Sequence, residues 1–442
     1  MTVAAGRVPL REIARLAGPA LPVLAAEPLY LLVDTAVVGR LGAVPLAGLA
    51  VAGVVFAQVT GQLNFLSYGT TARAARLHGA GCRSAAVGEG VQATWLALAV
   101  GACLVVVGQL VVRPVAEALG NGGAIAEGAV SWLRVALIGA PLLLVTLAGN
   151  GWMRGVQDTA RPLRYVLAGN AVSAVACVVL VHGIGAFPGL GLVGSAWANV
   201  LGQCIGAALF LGALVRESRG SWRPRPAALR AQLTMGRDLV ARSLAFQACF
   251  LSAAAVATRF GAPVAAAHQI VLQLWSFMAL VLDAIAIAAQ SLVGAALGAG
   301  DAGRARALAA RVTRYGLVLG VGFGVLFAAL SGVLPPVFTP DAAVLAAVPI
   351  AWWFFAALQP VAGVVFAIDG VLLGAGDAAF LRTWTLLGAV VGFLPLIWAS
   401  LAFGWGLAGI WSGLAAFMLV RLVAVLLRVR GGRWAVTGVT PT

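Results

Sequence analysis

The chain has 442 residues, 62% of them hydrophobic and only 10% charged, with a mean hydropathy of +1.01; no soluble domain of this length needs such a composition, which fits a polytopic α-helical membrane protein. All 29 basic residues are arginine, against 14 acids, for a net charge of +15. That surplus is no sign of a nucleic-acid partner, because the arginines fall in short loops between apolar runs, where positive-inside sorting explains them.

Apolar runs of about 20 residues, each long enough to cross a bilayer, predict twelve spans near 13–38, 46–70, 88–112, 131–153, 162–182, 190–215, 239–260, 264–298, 308–331, 344–374, 380–400 and 406–428. The first run exceeds the roughly 7 to 15 apolar residues of a secretion signal and counts as a span. It carries two acids, Glu27 and Asp34, in E-P-L-Y-L-L-V-D-T-A-V-V-G-R. A buried charge costs about 2.5 to 3.5 kcal/mol on insertion scales, so an acid retained there pairs, lines a water cavity, or carries protons or ions. Two helical turns apart, the acids are expected on one face at roughly 10 Å, and Pro28 between them removes a donor and kinks the helix. For Asp34 the alternatives are a coupling group and a structural acid capped by Thr35 or an asparagine; for Glu27, a coupling group and a hydrogen bond to a neighbouring helix.

Arg7, Arg11 and Arg15, then Arg73, Arg76 and Arg83, then Arg154, Arg161 and Arg164 mark alternate loops, and Arg216–Arg237, Arg304–Arg314 and Arg428–Arg433 continue the pattern. The opposite loops hold Arg40, Arg113 and Arg259, with Arg134 near a helix end, so both termini are expected in the cytoplasm of a multi-pass cell-membrane protein. An offset of 219 residues aligns V-V-G-R-L-G-A (37–43) with V-A-T-R-F-G-A (256–262), H-G-A-G (78–81) with L-G-A-G (297–300), and Pro141 with Pro360. The chain therefore reads as two homologous six-span lobes, 1–215 and 239–442, joined by an Arg- and Pro-rich cytoplasmic linker, 216–238, with a substrate cavity between them.

Deep in the remaining spans the acids are Asp283 and Asp369, paired by the repeat with Asn64 and Asn150. Each is either a cation or proton site or helix-packing glue. No arginine is read as deep in a span, and a cavity lined only by acids predicts neutral to cationic substrates. Tyr30, Asn64, Asn150, Asn170 and Gln269 are the cavity candidates. Gly155 and Gly374 are expected to end helices, with Asp158 and Asp377 capping the next ones. His78, His182 and His268 lack metal-ligand neighbours and read as hydrogen-bonded polar residues, and the five cysteines, Cys82, Cys103, Cys177, Cys204 and Cys249, as small packing residues. No metal, cofactor or catalytic constellation is indicated.

P-L-Y-L-L-V-D-T-A-V-V-G-R-L-G (28–42), H-G-A-G (78–81), R-G-V-Q-D-T-A-R-P-L (154–163) and I-D-G-V-L-L-G-A-G-D (368–377) together resemble the multidrug and toxic compound extrusion (MATE) family, in its DinF-like branch. The resemblance covers nearly the whole chain. It implies an all-α, V-shaped antiporter of twelve helices that exports organic cations against protons or sodium. It also implies that Asp34 is the coupling acid of the amino-terminal lobe and Asp369 a candidate in the other. Where many relatives carry N-x-x-N-x-x-x-D in the fifth helix, this chain has Asn170, Ser173 and Cys177. The second acid beside Asp34 is missing, which favours protons over sodium and leaves Glu27 as a substitute. A lipid-linked precursor flippase of the same superfamily is the alternative, disfavoured by the lack of basic cavity residues, and the major facilitator pattern is absent from 70–83. A monomer with a small-molecule substrate is expected.

Overall fold

A computed structural model describes residues 10–120, 122–185 and 187–439; Arg7 of the amino-terminal arginines lies outside them. The described residues are almost entirely helical: α1 (Leu10–Gly39), α2 (Ala43–Leu63), α3 (Phe65–Gly79), α4 (Arg83–Gly120), α5 (Gly123–Ile138), α6 (Ala140–Gly155), α7 (Ala160–His182) and α8 (Leu192–Glu217). After the linker come α9 (Pro226–Arg259), α10 (Ala262–Gly298), α11 (Ala302–Ala329), the short α12 (Pro335–Phe338), α13 (Ala342–Gly374), α14 (Ala378–Leu387), α15 (Leu394–Phe403) and α16 (Gly406–Arg430). A π-turn at Gly388–Phe393 joins α14 to α15, and a two-stranded hairpin, Gly183–Ile184 with Phe187–Pro188, joins α7 to α8. Eleven segments are long and apolar enough to span a membrane, and α5 with α6, bent by 49°, makes a twelfth. Each predicted span finds its helix.

Two compact units form, one of residues 18–236 and the other of 237–439 together with the first turns of α1 through Ala17. The stretch read as a linker is helical from Pro226 onward. The first turns of α9 pack within the amino-terminal unit because Gln232 donates to Glu89 Oε2 at 3.2 Å and Gly236 lies against Phe65. The non-helical part, 218–225, is strapped to α4 of that unit: Gln92 accepts from the Arg225 backbone N–H and donates to the Arg223 carbonyl, and the Trp95 indole donates to the Trp222 carbonyl.

The repeat recurs as geometry inside each unit. A side chain built at Gly101 would meet Pro141 Cα at 2.5 Å, and one at Gly320 would meet Pro360 Cα at 2.8 Å; both pairs are related by the 219-residue offset. Gly81 and Gly300, at equivalent turns, share left-handed φ values of 76° and 80°. At the next equivalent turn Gln157 holds φ 63° where the second half uses Gly376 at 79°.

In the carboxyl-terminal unit α13 packs against α10 and α11, and of the continuous spans it is the most enclosed. Glycines let its backbone approach α11: a Cβ at Gly363 would lie 2.1 Å from the Gly316 carbonyl oxygen. Backbone cannot swing aside as a flexible side chain does, so Gly363→Ala is expected to cost about 1–3 kcal/mol through overpacking. Thermal melts in detergent check this against Gly322→Ala, a site with open space around it, which should leave the midpoint unchanged.

Candidate functional site

Asp34, on the one face of α1 that turns inward, is 1% exposed, and its neighbour Thr35 points outward. Its Oδ1 accepts from the Ser195 hydroxyl of α8 at 2.5 Å and from the Cys177 thiol of α7 at 3.3 Å. Ser195 in turn accepts from the Trp132 indole N–H of α5 at 3.1 Å, which fixes the hydroxyl so that its own hydrogen points at the acid. Asp34 Oδ2 is buried without a hydrogen-bond partner. Tyr30, one turn earlier on the same inward face, is buried, and its hydroxyl has no hydrogen-bond partner. The structural alternative therefore finds its caps in Ser195 and Cys177, neither of which the sequence singled out for that task. Cys177 is more than packing.

Glu27 does not share this environment. It is exposed and makes no hydrogen bond or ion pair among the described residues. Two turns apart on one continuous helix, the acids differ in burial, Asp34 being enclosed and Glu27 exposed. Pro28 follows it inside a helix that runs on to Gly39 with Pro19 and Pro22 also within it, and the inward face beyond Pro28 is taken by Tyr30, Asp34 and Val38.

The second acid cluster lies in the carboxyl-terminal unit. Asp369 of α13 is 3% exposed, and its Oδ2 accepts from the guanidinium groups of both Arg242 (α9) and Arg421 (α16). The arginines stack on aromatic rings: Arg421 lies 5.0 Å from the Phe246 centroid and 5.5 Å from that of Phe417, and Arg242 lies 5.7 Å from Phe246. This overturns the expectation that no arginine lies deep in a span. Arg421, at 2% exposed, sits between apolar neighbours in L-V-R-L-V, and that flanking was the signal available. Asp369 is thus held between two cations, and a bound metal cation would have to displace them.

The other predicted residues scatter. Asn150 is buried in α6 with Oδ1 unpartnered, at the position the repeat relates to Asp369. Asn64 is exposed in the break between α2 and α3, whereas its repeat partner Asp283 sits half-buried and partnered in unbroken α10. Asn170 is half-buried, and Gln269 is exposed while its neighbour His268 turns inward at 4%. Contrary to expectation, His268 has no hydrogen-bond partner on either ring nitrogen. Gly155 and Gly374 do end α6 and α13. Asp158 Oδ1 accepts from the Arg161 backbone N–H at 3.1 Å. Burial pushes that carboxyl up, but Arg161 outweighs it and holds it below the ordinary carboxylate range. Asp377 stands before α14 yet caps nothing, because its carboxylate is taken by Arg428 at 2.7 Å.

Ser195→Ala removes the stronger donor to Asp34 and strands the Trp132 indole. A neutral hydrogen bond is worth about 0.5–1.5 kcal/mol, so the expected result is a folded protein whose melting midpoint in detergent falls by no more than a few degrees. Thermal melts of the variant beside the unaltered chain check it.

The MatE family model matches residues 19–180 and 239–398, one match in each half. Protein DETOXIFICATION 44, chloroplastic, of Arabidopsis thaliana is 32% identical over 441 residues, covering 96% of this chain and 83% of that protein. DNA damage-inducible protein F of Escherichia coli K12 is 28% identical over 429 residues, covering 92% of this chain and 90% of its own. Among solved structures, a crystal structure of MATE in the bent conformation superposes with a TM-score of 0.86 at 19% identity over 96% of this chain and 94% of that one.

Proposed function

Since this chain belongs to the MatE family of multidrug and toxic compound efflux transporters, we propose that it is a secondary exporter that drives small organic molecules out of the cell by alternating access, in exchange for protons taken up at Asp34. It acts in the cell membrane with both termini cytoplasmic, as a transporter and not an enzyme. One observation carries the reading: a carboxyl group buried in a membrane span, with two donors on one oxygen, no basic partner, and a second oxygen vacant. An ionised carboxylate in that setting is costly, and a proton on Oδ2 removes the charge. Exposure of the site to water on the other side releases it.

Protons are favoured over sodium by the chemistry of the neighbours. Hard cations take several oxygen ligands, whereas Cys177 offers a soft thiol to the site. The preference for organic cations drawn from the sequence rested on the absence of buried arginine, and Arg242 with Arg421 removes that premise. Uptake into proteoliposomes tests the coupling, with ethidium as the cationic probe and fluorescein as the anionic one. A pH gradient is expected to drive one or both, and a sodium gradient neither. Transport driven by sodium alone would replace the proton reading with the sodium one.

A further inference from the structure

Three buried polar features of the carboxyl-terminal unit are not used by the proton site, and they lie in one continuous interior. Arg242 and Arg421 both bond to the same oxygen of Asp369, leaving Asp369 Oδ1 and Arg242 Nε buried without partners. Phe246 and Phe417 cover the guanidinium groups and contact each other at 5.3 Å between ring centroids. Phe393 continues the ring stack at 5.5 Å from Phe417, and Phe250 follows at 6.0 Å. These last two rings, with His268 and Trp411, wall a small recess with room for roughly one water molecule. Both His268 nitrogens and the Trp411 indole N–H are buried and unpartnered there.

Two cations against one anion leave a surplus of one positive charge where charge is expensive. We propose that the Arg242–Asp369–Arg421 cluster is the subsite for the anionic head, a carboxylate, of an amphiphilic substrate whose apolar body lies along Phe246 and Phe417. The assignment rests on the export reading and specifies its substrate class. A single carboxylate balances the surplus, and its two oxygens suit the planar guanidinium fork, which a point charge would not exploit. A diphosphate would overshoot the surplus. Arg242 is the open side of the cluster: its side chain is 16% exposed, against 3% for Arg421 and 4% for Asp369. The rings lie over the guanidinium groups, Arg242 Nε is a donor left without a partner, and the unpartnered groups of His268 and Trp411 offer a polar contact beyond the ring stack.

The test uses two probes of matched shape and opposite charge, 1-naphthylacetate and 1-naphthylmethylammonium, titrated calorimetrically into the detergent-solubilised full chain. The wild type is expected to bind the acetate at least tenfold more tightly than the ammonium. Arg242→Gln leaves Asp369 paired with Arg421 and is expected to weaken acetate binding tenfold or more without changing the ammonium. Equal or tighter binding of the ammonium by the wild type overturns the assignment, and that comparison stands even if the variant folds poorly. An acetate affinity unchanged in well-folded Arg242→Gln also overturns it. Geranyl diphosphate displacing the acetate at lower concentration than the acetate itself requires would move the site to a lipid diphosphate head and overturn the carboxylate. Binding is read without any gradient. Acetate-selective binding in a protein that transports nothing would therefore sink the export reading and leave the subsite standing, and pH-driven transport of the ammonium alone would do the reverse.

Discussion

Asp34→Asn is expected to reduce pH-driven transport by about 100-fold or more, the lower end of the loss when a group that must cycle a proton is removed. The variant should remain folded, which is what makes the result informative. Its amide oxygen can still accept from Ser195 and Cys177 on the side that Oδ1 now occupies, and the replacement keeps the volume of a side chain that is 1% exposed. What it cannot do is alternate between charged and neutral. Glu27→Gln is the matched comparison, changing an acid two turns away on the same helix by the same chemistry. Without a hydrogen bond or ion pair among the described residues, Glu27 has no contact to lose in the change to Gln, and transport is expected to stay within about twofold. Rates measured in proteoliposomes at equal protein density decide between the two acids.

The second large effect concerns stability. Asp369→Asn leaves Arg242 and Arg421 facing each other in the interior of the carboxyl-terminal unit with no carboxylate between them. Breaking a buried ion pair by removing one partner costs about 3–5 kcal/mol, because the charge left behind keeps its desolvation penalty. The expected outcome is loss of the monodisperse peak on size exclusion in detergent, or a melting midpoint lowered by many degrees. The physical cause is checked by the double variant Asp369→Asn with Arg421→Met. Replacing a buried ion pair as a whole by neutral side chains of similar volume is often neutral, and the remaining Arg242 keeps some access to solvent at 16% side-chain exposure, so the double variant should recover much of the lost midpoint. No recovery would mean that Asp369 supports the fold through something other than charge balance.

The fold was legible because hydropathy and arginine placement act locally: a bilayer-length apolar run must become a helix, and the twelve predicted spans coincide with the helices once α2 joins α3, α5 joins α6 and α14 joins α15, with the short α12 lying between two spans. The repeat was legible in Pro141 and Pro360 because each does the same job in its own unit, Pro141 lying against Gly101 and Pro360 against Gly320, which constrains the residues as well as the shape. Asp34 stood out because an acid in an uncharged run has no cheap explanation. Of its partners, Cys177 was legible only as the place of a missing acid and not as a donor, and Ser195, 161 residues away, was not legible at all, being a small residue in its own helix. Arg421 was hidden by a rule that reads arginine as a topology marker, although a guanidinium can enter the interior when a carboxylate and aromatic rings receive it. Gln269 is exposed and His268, one position earlier, is buried, because one position on a helix turns the side chain by about 100°.

Substrate-induced proton release from the purified protein in weakly buffered detergent tests most directly the claim that Asp34 carries the exchanged proton. The account predicts that wild type releases protons when the transported probe is added, that Glu27→Gln releases as many, and that Asp34→Asn releases none. Undiminished release from Asp34→Asn would contradict it, and would make the buried acid beside Ser195 and Cys177 a structural one.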